Sequence, residues 1–382
     1  MRFMVATECE TPPGTTHHRR YKEAIEEAKF AEEMGFHTWG TSEQHFMSPV
    51  SCVSAPEVLY GTIAAVTSRI RIRHAIVLLP FAFNHPLRVA ERIATLDIVS
   101  DGRAELGVGR GNHLKQLAAF GGTAEETRPQ MLEAVEIIQK ALSQPVFSHD
   151  GDLLKIPELS LCPRPVQQPH PPMFMVATSL ESHRHAGRLG LSVLSNDNWM
   201  GWEHLAKQAE AFREGQAQRS DAAQGLDALQ HDPAGSVPMN FTAFTGYIGR
   251  DEAEAVEVGG PIAFSFLGPV LEMFYEPLAE ASPSYAYMKQ IREAIGDIIE
   301  TQDVPALIDR TPNVLVGTAE QIIEKIEQLE LLGYGDVGFR IDGHDHHGIM
   351  EQLELWGKYV IPHFTMRNSV VPKDIAVPGR VG

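Results

Sequence analysis

Four times before residue 143 the chain repeats one pattern: a short run rich in β-branched and aromatic residues, then a longer stretch with apolar residues three and four apart. "RFMVAT" precedes "RRYKEAIEEAKFAEEMG", where Tyr21, Ile25 and Ala28 share a face before Gly35 stops the helix. "FHTWGT", "RIRIRHAIVLLP" and "GRAELGVG" open the next three units. Strands alternating with helices require crossover connections, and these build a parallel sheet covered on both faces. "PMFMVAT", "LSVLSN", "MNFTAFTGYIG" and "DVGFRID" bring the strands to eight. Eight such units predict an α/β fold, a (β/α)8 TIM barrel of about 250 residues before insertions. The 382 residues are read as one barrel domain, 1–382, with insertions near 143–170 and 259–311. The first contains a hairpin, "PVFSHDGDLLKIP", whose "HDGD" supplies the turn. The second reads as a long irregular stretch, and "GLDALQHDPAGSVP" as a loop.

Composition narrows the partners. Fifty acidic against 32 basic residues give a formal charge of -18, which repels a phosphate backbone or an anionic membrane over most of the surface. Nucleic acid and membrane are therefore not expected partners. Cys9, Cys52 and Cys162 are odd in number, widely spaced and without a CxxC pair, a pattern that fits a reducing cytoplasm. The longest apolar run, "AIVLLPFAF", is too short to span a bilayer.

In such barrels the residues after the C-terminal ends of strands line the active site. Glu43, Gln44 and His45 follow the second strand there, offering an acid, an amide and an imidazole, or simply the polar residues a loop needs. "LGVGRGN" ends the fourth strand. Its glycines permit close backbone approach and Arg110 offers a fork for a phosphate, though Asn112 stands where a dinucleotide fingerprint has its third glycine. "ATSLES" ends the fifth strand, so Thr178, Ser179 and Ser182 put hydroxyls at a helix start, where they bind an anion or serve as caps. "GGPIAFSFLGPVLEMFYEPL" is apolar and glycine-punctuated, and reads as a lid over the mouth or as a packing segment. "DGHDHHG" contains Asp342, His344, Asp345, His346 and His347, but neighbours in one loop rarely converge on one ion, so no metal is expected. "TTHHRR" places His17, His18, Arg19 and Arg20 after the first strand, to guide an anion or start a helix.

"EEMGFHTWGTSEQHF", "NHPLRVAERIATLDIVSDGRAELGVGRG", "MFMVATS" and "VLVGTAEQIIEKI", in this order, resemble the bacterial luciferase-like flavin-dependent monooxygenase family. The resemblance implies reduced FMN at the C-terminal face of the barrel, addition of dioxygen to give a flavin C4a-(hydro)peroxide, and oxidation of an organic substrate. It assigns the phosphate to Arg110, Ser179 and Ser182, continues the flavin loop through Gly111 and Asn112, and puts Thr178 where the family often has an acid. It implies a cis peptide between Ala75 and Ile76 beneath the flavin ring. His45 matches a family histidine, whereas luciferases proper have a second histidine where Gln44 stands. Glutamine cannot change protonation state, so a non-luminescent monooxygenase is expected, with Glu43, Gln44 and His45 as the catalytic cluster. The apolar lid implies a small hydrophobic substrate. Length leaves no room for a nicotinamide-binding domain, so a separate NAD(P)H-dependent flavin reductase is expected. The resemblance also implies a homodimer. A deazaflavin-dependent oxidoreductase, a non-catalytic flavin-binding protein and a barrel metallohydrolase remain as alternatives.

Overall fold

The computed structural model describes residues 1–219 and 239–369; the "GLDALQHDPAGSVP" segment lies outside them. Eight parallel strands close a barrel: β1 (Arg2–Ala6), β2 (Thr38–Thr41), β3 (Arg71–Leu78), β4 (Ala104–Gly109), β7 (Met173–Ala177), β8 (Ser192–Ser195), β9 (Met239–Ala243) and β12 (Asp336–Arg340). Around the barrel they run β1-β12-β9-β8-β7-β4-β3-β2. Helices cover the outside, which is why β2, β4, β8 and β12 are buried along their whole length. The expected hairpin is β5 (Phe147–Asp150) with β6 (Lys155–Leu159), set apart from the barrel as a two-stranded sheet.

Toward the N-terminal end of the strands the barrel interior holds ions rather than hydrocarbon alone. Arg73 Nε lies 2.6 Å from Glu105 and its Nη2 3.1 Å from Asp336, while Arg71 reaches the other Glu105 oxygen at 2.5 Å. Burial works to raise the Glu105 carboxyl, but Arg73 and Arg71 outweigh it and hold it down to about 2.

Two expectations are corrected. "MNFTAFTGYIG" is not one strand: it breaks at Phe244, whose N–H donates to Asn313 O at 2.9 Å, and continues as β10 (Thr245–Ile248). β10 leaves the barrel and pairs in parallel with β11 (Val314–Gly317). The stretch 259–311 is not irregular but helical, through Glu252–Ala281, Lys289–Thr301 and Val304–Arg310. Wide π-type turns at Ala255–Gly259 and Leu271–Tyr275 flank Pro261 and Pro269, and the first of these helices continues past both. By length and composition this helix would also pass for a membrane span. Here Leu267, Leu271 and Leu278 are buried in a second apolar cluster with Tyr285, Ile291 and Ile295, separate from the barrel core. The β10–β11 ladder clasps the base of this insertion.

Candidate active site

A cavity of about 220 Å³ opens at the C-terminal ends of the strands, and the helical insertion supplies part of its wall through Phe266, Tyr275, Tyr285 and Tyr287. The segment read as a lid or as packing is packed in the second apolar cluster, and Phe266 and Tyr275 of it also line the cavity.

At the β4–β7 side, Arg110, Gly111, Asn112, Thr178 and Ser182 line the cavity. The Arg110 guanidinium sits 3.6 Å from the Tyr285 ring centre, and the Tyr285 hydroxyl donates to Gly111 O at 3.0 Å. The Thr178 hydroxyl is hydrogen-bonded to the Tyr287 hydroxyl, tying the insertion to the end of β7. Ser179 does not line the cavity. It caps the helix Leu180–Arg188 by accepting from Ser182 N at 3.2 Å, and its Oγ lies 3.0 Å from Ser182 Oγ.

The glycines of "LGVGRGN" have a steric reason. Between His74 and Val77 the β3–β4 register shifts, and the displaced β3 backbone presses on β4. A Cβ on Gly107 would lie 2.2 Å from His74 O, and one on Gly109 would lie 2.2 Å from Ile76 Cδ1. The shift turns Ala75 and Ile76 toward the cavity, which both line. The cis bond expected between them is corrected: among the described residues the cis peptides are Ser48–Pro49, Cys162–Pro163 and Gln168–Pro169.

The Glu43–Gln44–His45 cluster divides. Glu43 is buried and accepts from Leu78 N at 2.9 Å and from Asn84 Nδ2 at 3.1 Å, so it staples the end of β2 to the end of β3. Gln44 lines the cavity and accepts from Gln116 Nε2 at 2.9 Å. His45 lies behind that wall, stacked 5.7 Å from Phe83 and edge-on to Phe120 at 4.8 Å, with Nε2 3.1 Å from Glu43.

Across the barrel, Arg340 at the end of β12 and Glu8 after β1 face the same cavity, and sequence reading missed both. The available signal was a charged residue closing the apolar strand "DVGFR". Arg340 is ion-paired to Glu10, stacks 4.3 Å from the Phe266 ring centre and has Nε 3.6 Å from Asp342. Its Nε and Nη1 have no hydrogen-bond partner. Burial pushes Glu8 upward and Glu10 up to about 7, against the lowering effect of Arg340.

The histidine-rich loops hold separate posts. Asp342 accepts from Thr7 Oγ1 and Glu8 N, His344 stacks on Tyr247, Asp345 caps the helix His346–Leu355, and His346 meets Glu27. No group of three or more metal-ligating side chains occurs among the described residues. Arg20, expected near the mouth, is buried and ion-paired to Glu27 at 2.8 Å.

The sequence pattern of the family described as luciferase-like monooxygenase matches residues 1–335. An N-acetyl-S-alkylcysteine monooxygenase of Bacillus subtilis is 31% identical over 332 residues, covering 84% of this chain and 85% of that one. The oxygenase component of a flavin-dependent trigonelline monooxygenase from Acinetobacter baylyi is 25% identical over 377 residues, 96% of each chain. Among solved structures, the oxygenating constituent of 3,6-diketocamphane monooxygenase from Pseudomonas putida, in complex with FMN, superposes with a TM-score of 0.71 at 20% identity. It covers 95% of this chain and 98% of its own.

Proposed function

Because the chain belongs to the luciferase-like monooxygenase family, a family of flavin-dependent oxygenases, we propose that it binds reduced FMN in the barrel mouth and oxygenates an organic substrate there. The observation that carries this reading is the β4–β7 side of the cavity. Its guanidinium, its two hydroxyls and the start of the helix Leu180–Arg188 are the donor set a monoester phosphate requires. Arg110, Thr178 and Ser182 hold the phosphate, and Ser179 fixes the helix start that carries Ser182. Gly111 and Asn112 continue that wall, while Ala75 and Ile76 present the shifted β3 backbone to the flavin ring. Reduced FMN, when bound, supplies the electrons that activate dioxygen.

The residues of the chain then do three things. Phe266, Tyr275 and Tyr285 exclude water from the mouth, which protects the oxygenating species from discharge as hydrogen peroxide. The Gln44 amide orients substrate without exchanging a proton, which favours a non-luminescent oxygenation. Glu43 and His45 position Gln44 and the β3 end from behind the wall. The relative named as an oxygenase component supports delivery of reduced flavin by a separate reductase, which we take to be NAD(P)H-dependent and to act with this chain in the cytoplasm. A homodimer completes the proposal.

The test supplies chemically reduced FMN and air to the purified protein with a panel of organic substrates, following oxygen uptake and product mass. Saturable flavin binding with oxygen incorporated into product is expected. Flavin that neither binds nor reacts faster than it does free in solution would sink the reading, and oxygen-independent oxidation of a reduced deazaflavin would replace it with hydride transfer.

A further inference from the structure

The β9–β12 wall of the cavity carries polar groups that the protein itself leaves unanswered. Arg340 is only 4% exposed at its side chain, yet two of its three guanidinium nitrogens, Nε and Nη1, lack a hydrogen-bond partner. On the neighbouring strand, Thr242 lines the same cavity, and its Oγ1 is likewise buried without a partner. β9 and β12 pair with Gly338 opposite Thr242, so Arg340 stands two residues further toward the mouth on the strand beside it. Buried polar atoms without partners are costly and uncommon, and three such atoms on adjacent strands, in residues that both line one cavity, call for a partner supplied by a ligand.

We propose that Arg340 and Thr242 form a carboxylate-binding subsite, so that the substrate is an organic acid with an apolar or aromatic body. This rests on the oxygenase reading above and names the substrate class for the same cavity, replacing the expectation of a purely hydrophobic compound. The flavin phosphate is not the anion meant. β12 lies four strands around the eight-stranded barrel from β4, so Arg340 and Arg110 occupy opposite sides of the mouth. The body of the acid packs on Phe244, Phe266 and Tyr275, which line the cavity beside Arg340.

The groups facing Arg340 set its pH response. They are Glu8 and Glu10 after β1, and Asp342 and His344 after β12; the insertion contributes the uncharged Phe266. Asp342 is held by Thr7 Oγ1 and the Glu8 and Glu10 amides. Burial raises both Glu8 and Glu10, Glu10 to about 7, so a proton gained near neutrality frees the guanidinium for an incoming anion. Carboxylate binding therefore tightens as pH falls from about 8 to about 6, while an uncharged analogue is indifferent.

Benzoate and 2-naphthoate, each paired with its methyl ester, are titrated calorimetrically into the wild-type chain and into Arg340→Met, Arg340→Lys and Thr242→Val. The acids are expected to bind the wild type at least about tenfold more tightly than their esters. Arg340→Met abolishes that preference, Arg340→Lys retains part of it, and Thr242→Val reduces it. No saturable binding of either acid, or equal binding of acid and ester by the wild type, overturns the proposal without depending on any variant. Reduced FMN is titrated in parallel. Its failure to bind the wild type counts against the oxygenase reading, whereas normal FMN binding with no acid preference counts against this subsite alone.

Discussion

Two buried arginines on barrel strands, Arg73 on β3 and Arg340 on β12, are each flanked by two carboxylates, and they differ in what remains unsatisfied. At the floor, Arg73 is closed by Glu105 and Asp336 in tight ion pairs. At the mouth, Arg340 meets Glu10, stands off Asp342 by 3.6 Å and keeps two nitrogens unbonded. The acids respond in opposite senses: Glu105 is held down to about 2, and Glu10 is pushed up to about 7. The same residue types thus give a finished structural network at the N-terminal end and an open binding pole at the C-terminal end. That is the division of labour this barrel architecture follows.

The largest effect should fall on the floor. Glu105→Ala leaves Arg73 and Arg71 short of an anion in a buried site, and is expected to cost about 3–5 kcal/mol in urea unfolding. Flavin affinity per folded molecule should stay unchanged. Arg340→Met should cost clearly less, because Glu10, already near 7, can take a proton when its partner is removed. Equal losses would erase the distinction between the two networks. The pH dependence sharpens it further. The folded Glu105 carboxyl lies below its usual value of 4.5, so its contribution is present above that pH and is lost as pH falls toward about 2. Glu105→Gln should remove this segment of acid sensitivity from a stability–pH profile.

Next in size is the opposite pole of the mouth. Arg110→Ala removes a charge-assisted contact of about 1.5–3 kcal/mol and should weaken reduced FMN binding about tenfold or more. The Tyr285 ring loses its stacking partner at the same time, so Arg110→Lys separates charge from planar packing. An unchanged dissociation constant for Arg110→Ala would mean the phosphate sits elsewhere.

Much of the frame was legible because barrel strands and helices announce themselves locally. The eight-strand alternation and the hairpin turn both follow from short-range pattern. What failed was set by distant partners. β10 exists because Val314–Gly317 returns to pair with it after the whole helical insertion, and nothing in "FTGYIG" signals that break. The stretch 259–311 read as irregular, but tertiary burial and two π-type turns carry a helix through Pro261 and Pro269. At the site, strand ends located Gln44, Arg110, Thr178 and Ser182 on the cavity. Loop spacing could not tell which of Glu43, Gln44 and His45 faces inward, because each side chain's direction depends on partners such as Asn84, Gln116 and Phe83. Arg340 was overlooked for the same reason: one charge in an apolar strand reads as an edge until the barrel closes around it.

The smallest expected effect belongs to His45, whose place behind the wall separates positioning from chemistry. Its ring is wedged between Phe83 and Phe120 and bonded to Glu43, which in turn holds Leu78 N. His45→Ala should leave FMN affinity within about threefold of wild type, since no phosphate contact is touched. It should loosen the β2–β3 rim and let water in, so less product and more hydrogen peroxide form per reduced flavin. His45→Gln, which can still reach Glu43, should restore much of the coupling if positioning is the role. If His45→Gln is as uncoupled as His45→Ala, the imidazole itself takes part in the chemistry and the assignment behind the wall is wrong.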